Sequence, residues 1–194
     1  ENNDYLYYEK LNKDDQLARF YRKNKFADEE FLYLDPNIKL KNQKYYSVNA
    51  VEPWPNNSLI AYLEDNNGRR EHDIKIIDSL TLEIVDSEVK RASRDIVWSN
   101  DNNYVIYLKK DPVTLINNSV YVHRIGSPSS EDILIYKEDD QEYDINITRS
   151  KSKKYAYINI EATNQNEIHL IDLNNPLNKP HLFLERSENH LYYL

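Results

Sequence analysis

Ile96-Val97-Trp98-Ser99-Asn100-Asp101-Asn102-Asn103-Tyr104-Val105-Ile106-Tyr107 is an apolar run, a polar turn and a second apolar run ending in tyrosine. Asn102 and Asn103 tolerate positive φ, so the chain is predicted to fold back here without glycine. In the second strand Val105 and Tyr107 point to one face and Tyr104 and Ile106 to the other. The same figure precedes it as Val51-Glu52-Pro53-Trp54-Pro55-Asn56-Asn57-Ser58-Leu59-Ile60-Ala61-Tyr62 and follows it as Ile147-Thr148-Arg149-Ser150-Lys151-Ser152-Lys153-Lys154-Tyr155-Ala156-Tyr157-Ile158. Counted on Tyr62, Tyr107 and Tyr157, the spacings are 45 and 50 residues. A repeat of that length built from short strands is the mark of a propeller blade, because one blade cannot bury both faces alone.

Working outward, the strands fall into four groups. Residues 4–35 carry Tyr5–Tyr8, Ala18–Tyr21 and Glu30–Leu34, and the link through Ile38–Lys44 has room for a short helical turn. Residues 45–89 carry Tyr46–Val51, Leu59–Leu63, Asp73–Asp78 and a short strand near Ile84-Val85, with Asp65-Asn66-Asn67-Gly68 as a strong turn. Residues 96–137 carry Ile96–Trp98, Tyr104–Lys109, Ser119–Arg124 and Ile133–Tyr136. Residues 143–184 carry Asp144–Arg149, Tyr155–Ile160, Glu167–Asp172 and His181–Leu184, and 188–194 reads as the first strand of a further blade. The predicted fold class is all-β, a partial β-propeller of about four blades of four-stranded antiparallel sheets.

Composition narrows the function classes. The chain of 194 residues has 40% apolar residues, enough for a core, and 17 tyrosines that suit half-buried strands. Its formal charge of −8 argues against a phosphate-binding surface and hence against nucleic acid as a partner. No cysteine is present, so disulfides and thiolate chemistry are excluded, in keeping with a cytoplasmic setting. No apolar run approaches the length of a membrane span, and Glu1-Asn2-Asn3-Asp4 has no features of a signal peptide. The absence of methionine, the start in mid-pattern and the apolar end Leu191-Tyr192-Tyr193-Leu194 suggest a fragment of a longer protein. Open strand edges and blade faces should then promote self-association.

An ordered set of segments carries a family resemblance. Glu52-Pro53, Leu59–Tyr62, Asp65–Arg70, Ile96–Asn103, Lys110-Asp111-Pro112, Val120–Gly126, Glu131–Lys137 and Ser150–Tyr155 follow one another, preceded by Tyr7-Tyr8, Arg19-Phe20-Tyr21-Arg22 and Glu29–Asp35. In this order they resemble the N-terminal propeller of the prolyl oligopeptidase family of serine peptidases, in its oligopeptidase B branch. The resemblance covers essentially the whole chain. It implies a seven-bladed propeller over the entrance of a C-terminal α/β-hydrolase domain. It also implies short basic peptides as substrates, cleavage after Lys or Arg, exclusion of larger chains, and gating by domain opening about a hinge. The family's common Ser-Pro-Asp-Gly turn is Trp54-Pro55-Asn56-Asn57 in this chain.

No catalytic residue is assigned. A nucleophile elbow needs Gly-x-Ser-x-Gly, and Gly68 and Gly126 are the only glycines. No substrate-binding residue is named, and no cofactor or metal is expected. His72, His123, His169, His181 and His190 lack the close spacing of a zinc site and read as isolated surface or loop residues. Glu138-Asp139-Asp140 with Glu142 lacks the ordered calcium-loop pattern and reads as a solvated connection. Arg69, Arg70, Arg91, Arg94 and Arg124 read as surface charges rather than an interdomain network. The tripeptides at Asn56, Asn117 and Asn146 are chance matches in an Asn-rich chain, and Trp54 and Trp98 are packing residues. The expectation is a non-catalytic gating portion of a peptidase, with a standalone propeller scaffold as the alternative.

Overall fold

The computed structural model describes residues 4–194, which divide into two compact units at Lys90/Arg91. The first holds two antiparallel sheets. One is a three-stranded meander of β1 (Tyr5–Lys10), β2 (Arg19–Asn24) and β3 (Glu30–Leu34). The other contains β4 (Ser47–Pro53), β5 (Leu59–Asp65), β6 (Asp73–Asp78) and β7 (Ile84–Asp86). Between them lies α1 (Pro36–Leu40), which Asp35 caps by accepting from the Asn37 amide at 3.0 Å, with proline at its first position.

The second unit holds two four-stranded meanders. One comprises β8 (Ile96–Trp98), β9 (Tyr104–Lys110), β10 (Asn117–Arg124) and β11 (Ile133–Lys137). The other comprises β12 (Asp144–Arg149), β13 (Tyr155–Glu161), β14 (Asn166–Asp172) and β15 (His181–Leu184). Every strand expected between residues 5 and 184 forms, and several run one or two residues further. Each sheet pairs its strands in chain order, which is the blade unit of a propeller.

The first sheet has the three strands expected of residues 4–35, and its bulge shows how they correspond to the strands of the other sheets. In each four-stranded sheet the third and fourth strands slip register, at Ile76/Ile77, Val120/Tyr121 and Ile168/His169. The corresponding slip in the first sheet lies between β2 and β3, at Phe20/Tyr21. Strands β1 to β3 therefore correspond in register to the second, third and fourth strands of the other sheets. One expectation needs correction: 188–194, expected as the first strand of a further blade, forms no strand. Tyr192 instead exchanges hydrogen bonds with the Asn166 side chain, donating from its amide at 3.0 Å and accepting at its carbonyl at 2.6 Å.

The three turns that prompted the repeat are built alike. Trp54, Ser99 and Ser150 donate their amides to the carbonyls of Leu59, Tyr104 and Tyr155 at 2.9, 3.0 and 2.9 Å. Three residues into each turn stands a positive φ, at Asn57 (64°), Asn102 (66°) and Lys153 (59°). Asn103 does not share it. The residue before each accepts from the amide two places on: Asn56 from Ser58, Asp101 from Asn103 and Ser152 from Lys154. This alignment makes Ile158, not Tyr157, the counterpart of Tyr62 and Tyr107. All three are buried, whereas Tyr157 is half-exposed. The true spacings are 45 and 51 residues.

A second turn type also recurs. Asp78 accepts from the amides of Leu80 and Thr81, and Asp111 from those of Val113 and Thr114, all at 2.8 Å. Leu82 and Leu115 then take positive φ of 61° and 62°. These bonds hold both carboxyls below their usual range, chiefly through the Thr81 and Thr114 amides.

Each unit has its own core. Tyr33, Ile60, Tyr62 and Ile77 pack with Tyr7 and Phe20 in the first. Ile106, Leu108, Val120, Ile145, Ile158 and Ile171 lie in the centre of the second. Val105, Ile106, Tyr107 and Leu108 are all fully buried, so the middle of β9 has no solvent face. A stretch of strand buried on both faces reads as a continuous apolar run rather than an alternation. Trp54 and Trp98 are buried as expected, but Trp98 ends β8 whereas Trp54 lies one residue past β4.

Lys153 bears a Cβ in left-handed backbone that glycine adopts without strain, so Lys153→Gly should raise stability by about 0.5–1 kcal/mol. Lys153→Val should lower it. Urea unfolding of the two variants checks the sign.

Candidate functional site

Two polar clusters lie inside the second unit. In the first, His123 on β10 places Nδ1 2.6 Å from Asp132 Oδ1, and Tyr107 on β9 donates its hydroxyl to Asp132 Oδ2 at 2.6 Å. The His123 and Asp132 side chains are 0% and 2% exposed. Asp132 follows a short 3-10 turn (Ser129–Glu131) in the connection from β10 to β11, so the cluster ties that connection to the two inner strands. Burial, with the bond to Asp132, pushes the Tyr107 hydroxyl far above its usual range, and it stays a donor.

The second cluster centres on Arg186, two residues past β15. Its Nη2 donates to Glu138 Oε2 at 2.6 Å and its Nε to Glu167 Oε2 at 3.3 Å. The guanidinium carbon lies 4.0 Å from the centre of the Tyr143 ring. Glu167 also meets His169 Nε2 at 2.6 Å, and the His169 ring packs against Tyr136 at 4.7 Å between centroids. Burial raises the Glu167 carboxyl, but the bonds from Arg186 and His169 outweigh it and hold the group below its ordinary value. Arg186 is itself raised, its bonds to Glu167 and Glu138 overcoming the burial that opposes its charge.

These clusters correct two readings of the sequence. His72 and His123 are buried, and His123 and His169 pair with carboxylates, so only His181 and His190 are exposed as expected. Glu138 is not solvated. It is 8% exposed and accepts from the Asp140 amide at 3.0 Å as well as from Arg186. Arg186 carried no signal, because a guanidinium partner 48 residues away cannot be read from spacing. The other arginines, Arg69, Arg70, Arg91, Arg94 and Arg124, are exposed as expected. Of the three Asn-x-Ser/Thr positions, Asn117 is buried, Asn56 caps a turn and Asn146 accepts from Asn159 at 2.8 Å.

Two polar pockets accompany these features. One of about 190 Å³ lies beside Glu138 and Tyr143, lined also by Asp111, Lys137 and Asp139. Lys137 pairs with Asp139 at 2.6 Å. The other, about 510 Å³, lies in the first unit between α1 and the β1–β2 connection, where Arg19 bridges Asp15 at 2.8 Å and Asp35 at 3.3 Å. Among the described residues no cluster of three metal-ligating side chains occurs, and no helix is long and apolar enough to cross a membrane.

Tyr107→Phe removes one of the partners of a carboxylate that is 2% exposed. It should cost about 1–3 kcal/mol in chemical denaturation. The Glu167 pairing adds an acid signature. A carboxyl lowered on folding contributes fully above its unfolded value, near 4.5, and the contribution disappears as pH falls through the lower folded value. Glu167→Gln should therefore flatten the fall in Tm below that pH.

Comparison with known proteins gives the arrangement a family. The model for "Prolyl oligopeptidase, N-terminal beta-propeller domain" matches residues 1–194. Dipeptidyl aminopeptidase BI of Pseudoxanthomonas mexicana is 37% identical over 143 residues, 74% of this chain and 20% of that protein. Protease 2 of Moraxella lacunata is 29% identical over 201 residues, 97% of this chain and 28% of that protein. The chain thus spans less than a third of these relatives. Among solved structures, oligopeptidase B from Leishmania major superposes with a TM-score of 0.90 at 23% identity, over 96% of this chain and 27% of that one. Oligopeptidase B from Trypanosoma brucei gives 0.86 at 24% identity, over 97% of this chain and 27% of that one. These likenesses establish the blade architecture. With the family model matched from end to end, the chain belongs to the N-terminal β-propeller domains of the prolyl oligopeptidase family.

Proposed function

We propose that this chain is the gating portion of a serine oligopeptidase that cleaves short peptides after Lys or Arg. Its partner is a C-terminal α/β-hydrolase domain of the same polypeptide, which supplies nucleophile, base and acid. The observation that carries this reading is the family match over residues 1–194, combined with a fold whose buried polar groups are structural clamps. In this reading the four sheets are blades of a larger propeller, with approximate limits 4–35, 45–89, 96–137 and 143–184. The propeller acts sterically. Its sheets are rigid, so access changes by movement between domains rather than by opening of a blade. The net charge of −8 has the sign that draws basic peptides toward the entrance. A cytoplasmic setting, where such peptides arise from protein turnover, belongs to the same proposal.

A second reading concerns the mode of cleavage. The relative at 37% identity is named a dipeptidyl aminopeptidase, which favours removal of dipeptides from a free N-terminus over internal cleavage. Both modes use the same propeller as a size filter and differ in how the peptide end is held.

The test compares the intact parent protein with residues 1–194 on two fluorogenic substrates, an N-blocked Arg-Arg amide and the same dipeptide amide with a free amino terminus. A serine-directed phosphonate serves as control. Phosphonate-sensitive cleavage of the blocked substrate by the parent, with none by the propeller alone, is the expected result. Cleavage confined to the free-terminus substrate selects the dipeptidyl mode. A parent inert on both is a scaffold, and the proposal fails.

A further inference from the structure

Glu138, Glu167 and Tyr143 come from two places in the second unit. Glu138 and Tyr143 stand at the two ends of the connection between β11 and β12, and Glu167 lies on β14. Their side chains nonetheless converge on one planar group. Arg186 lies with its guanidinium over the Tyr143 ring and donates from Nη2 to Glu138 and from Nε to Glu167. Its backbone amide donates to Glu167 Oε2 as well, at 3.3 Å. The Glu138 and Glu167 side chains are only 9% and 12% exposed, and Tyr143 is 3% exposed.

The two carboxylates are also held without help from Arg186. Glu138 accepts from the Asp140 amide at 3.0 Å and from the Tyr136 hydroxyl at 3.3 Å. Glu167 is bonded to His169 at 2.6 Å. The acceptors are therefore aimed in advance, and an aromatic face closes one side. Two acceptors in a fork beside a ring suit a flat, delocalised cation with several fixed donors. A lysine ammonium is a point charge and cannot stack and bridge at once.

We propose that Glu138, Glu167 and Tyr143 form a guanidinium-binding site that the chain fills with its own Arg186, and that this occupation latches residues 185–194 onto the third and fourth sheets. Arg186 is the first fixed point after β15. Beyond it the segment is held at Tyr192, whose hydroxyl donates to the Leu184 carbonyl at 2.6 Å and accepts from the Ile168 amide at 2.9 Å. Tyr192 thus covers β14 at its bulge, where the register between β14 and β15 breaks. Arg186 and Tyr192 are the two part-buried pins of one strap, with an exposed bond from Asn164 Nδ2 to Asn189 Oδ1 at 2.9 Å between them, and the guanidinium pin alone also joins the two sheets.

The test uses Arg186→Gly and Arg186→Lys in the full chain, with hydrogen exchange across 185–194 and Tm as readouts. Arg186→Gly should exchange about tenfold faster or more in that segment. Millimolar methylguanidinium should restore protection and Tm in this variant alone, and methylammonium at the same concentration should not. Arg186→Lys should behave like Arg186→Gly without rescue. If lysine protects the segment as well as arginine does, or if methylguanidinium rescues no better than methylammonium, the site has no guanidinium specificity and the proposal is wrong. Should Arg186→Gly fail to fold even with methylguanidinium, Arg186→Lys decides the matter by the same exchange measurement.

Discussion

The fold depends on reversing an extended chain many times with almost no glycine. Among the described residues ten take positive φ, and two of them, Gly68 and Gly126, are glycine. Left-handed backbone strains any residue with a Cβ, and the chain offsets that strain with short polar side chains that satisfy the turn's own amides. Asn56, Asp101 and Ser152 do this in the turns between first and second strands, and Asp78 and Asp111 in two later ones. Asp65 is the extreme case, accepting from the amides of Asn67, Gly68 and Arg70 at 2.8 to 2.9 Å. Without these acceptors the turn amides would compete for water, and the register of every following strand would loosen.

Register matters most where a strand has no solvent face. In β5 every residue after Leu59 is buried, and in β9 the run Val105–Leu108 is, so within these runs a slip of one residue would exchange one core face for another. Alternation of polar and apolar residues therefore cannot hold these strands in place. The capped turns do, by fixing the first pair across each hairpin. The bulges between third and fourth strands then let the outer strand twist away from the buried pair.

Polar groups inside the second unit are used as ties between segments distant in sequence. His123, Asp132 and Tyr107 anchor the long connection before β11, and Glu138, Glu167 and Arg186 anchor the chain after β15. Each carboxylate has more than one partner, as a buried charge requires. Under the proposed function this has a consequence. A propeller that filters by size must not deform when peptides press on it, and clamped connections stiffen the parts of a blade that would otherwise yield first.

Strand positions were legible in the sequence because they depend on local chemistry. Glu30–Leu34, Asp73–Asp78, Ile96–Trp98, Asp144–Arg149 and His181–Leu184 coincide with the runs read from apolar residues and turn signals. The family was legible too, since it rests on an ordered series of such segments. Three things were not. The phase of the third repeat was misjudged by one residue, because Tyr157 resembles Tyr107 in kind while Ile158 matches it in place. The segment 188–194 has strand composition, yet Tyr192 docks onto β14 by its side chain and leaves no extended pair. The pairing of Glu138 with Arg186 joins residues 48 apart, and His123 looked like a loop residue until the fold enclosed it. Sequence alone determined where the chain turns and which residues are apolar, since both follow from neighbours along the backbone. Tertiary structure alone decided which charges meet, because a buried ion pair exists only after packing has removed the water that would otherwise separate its members.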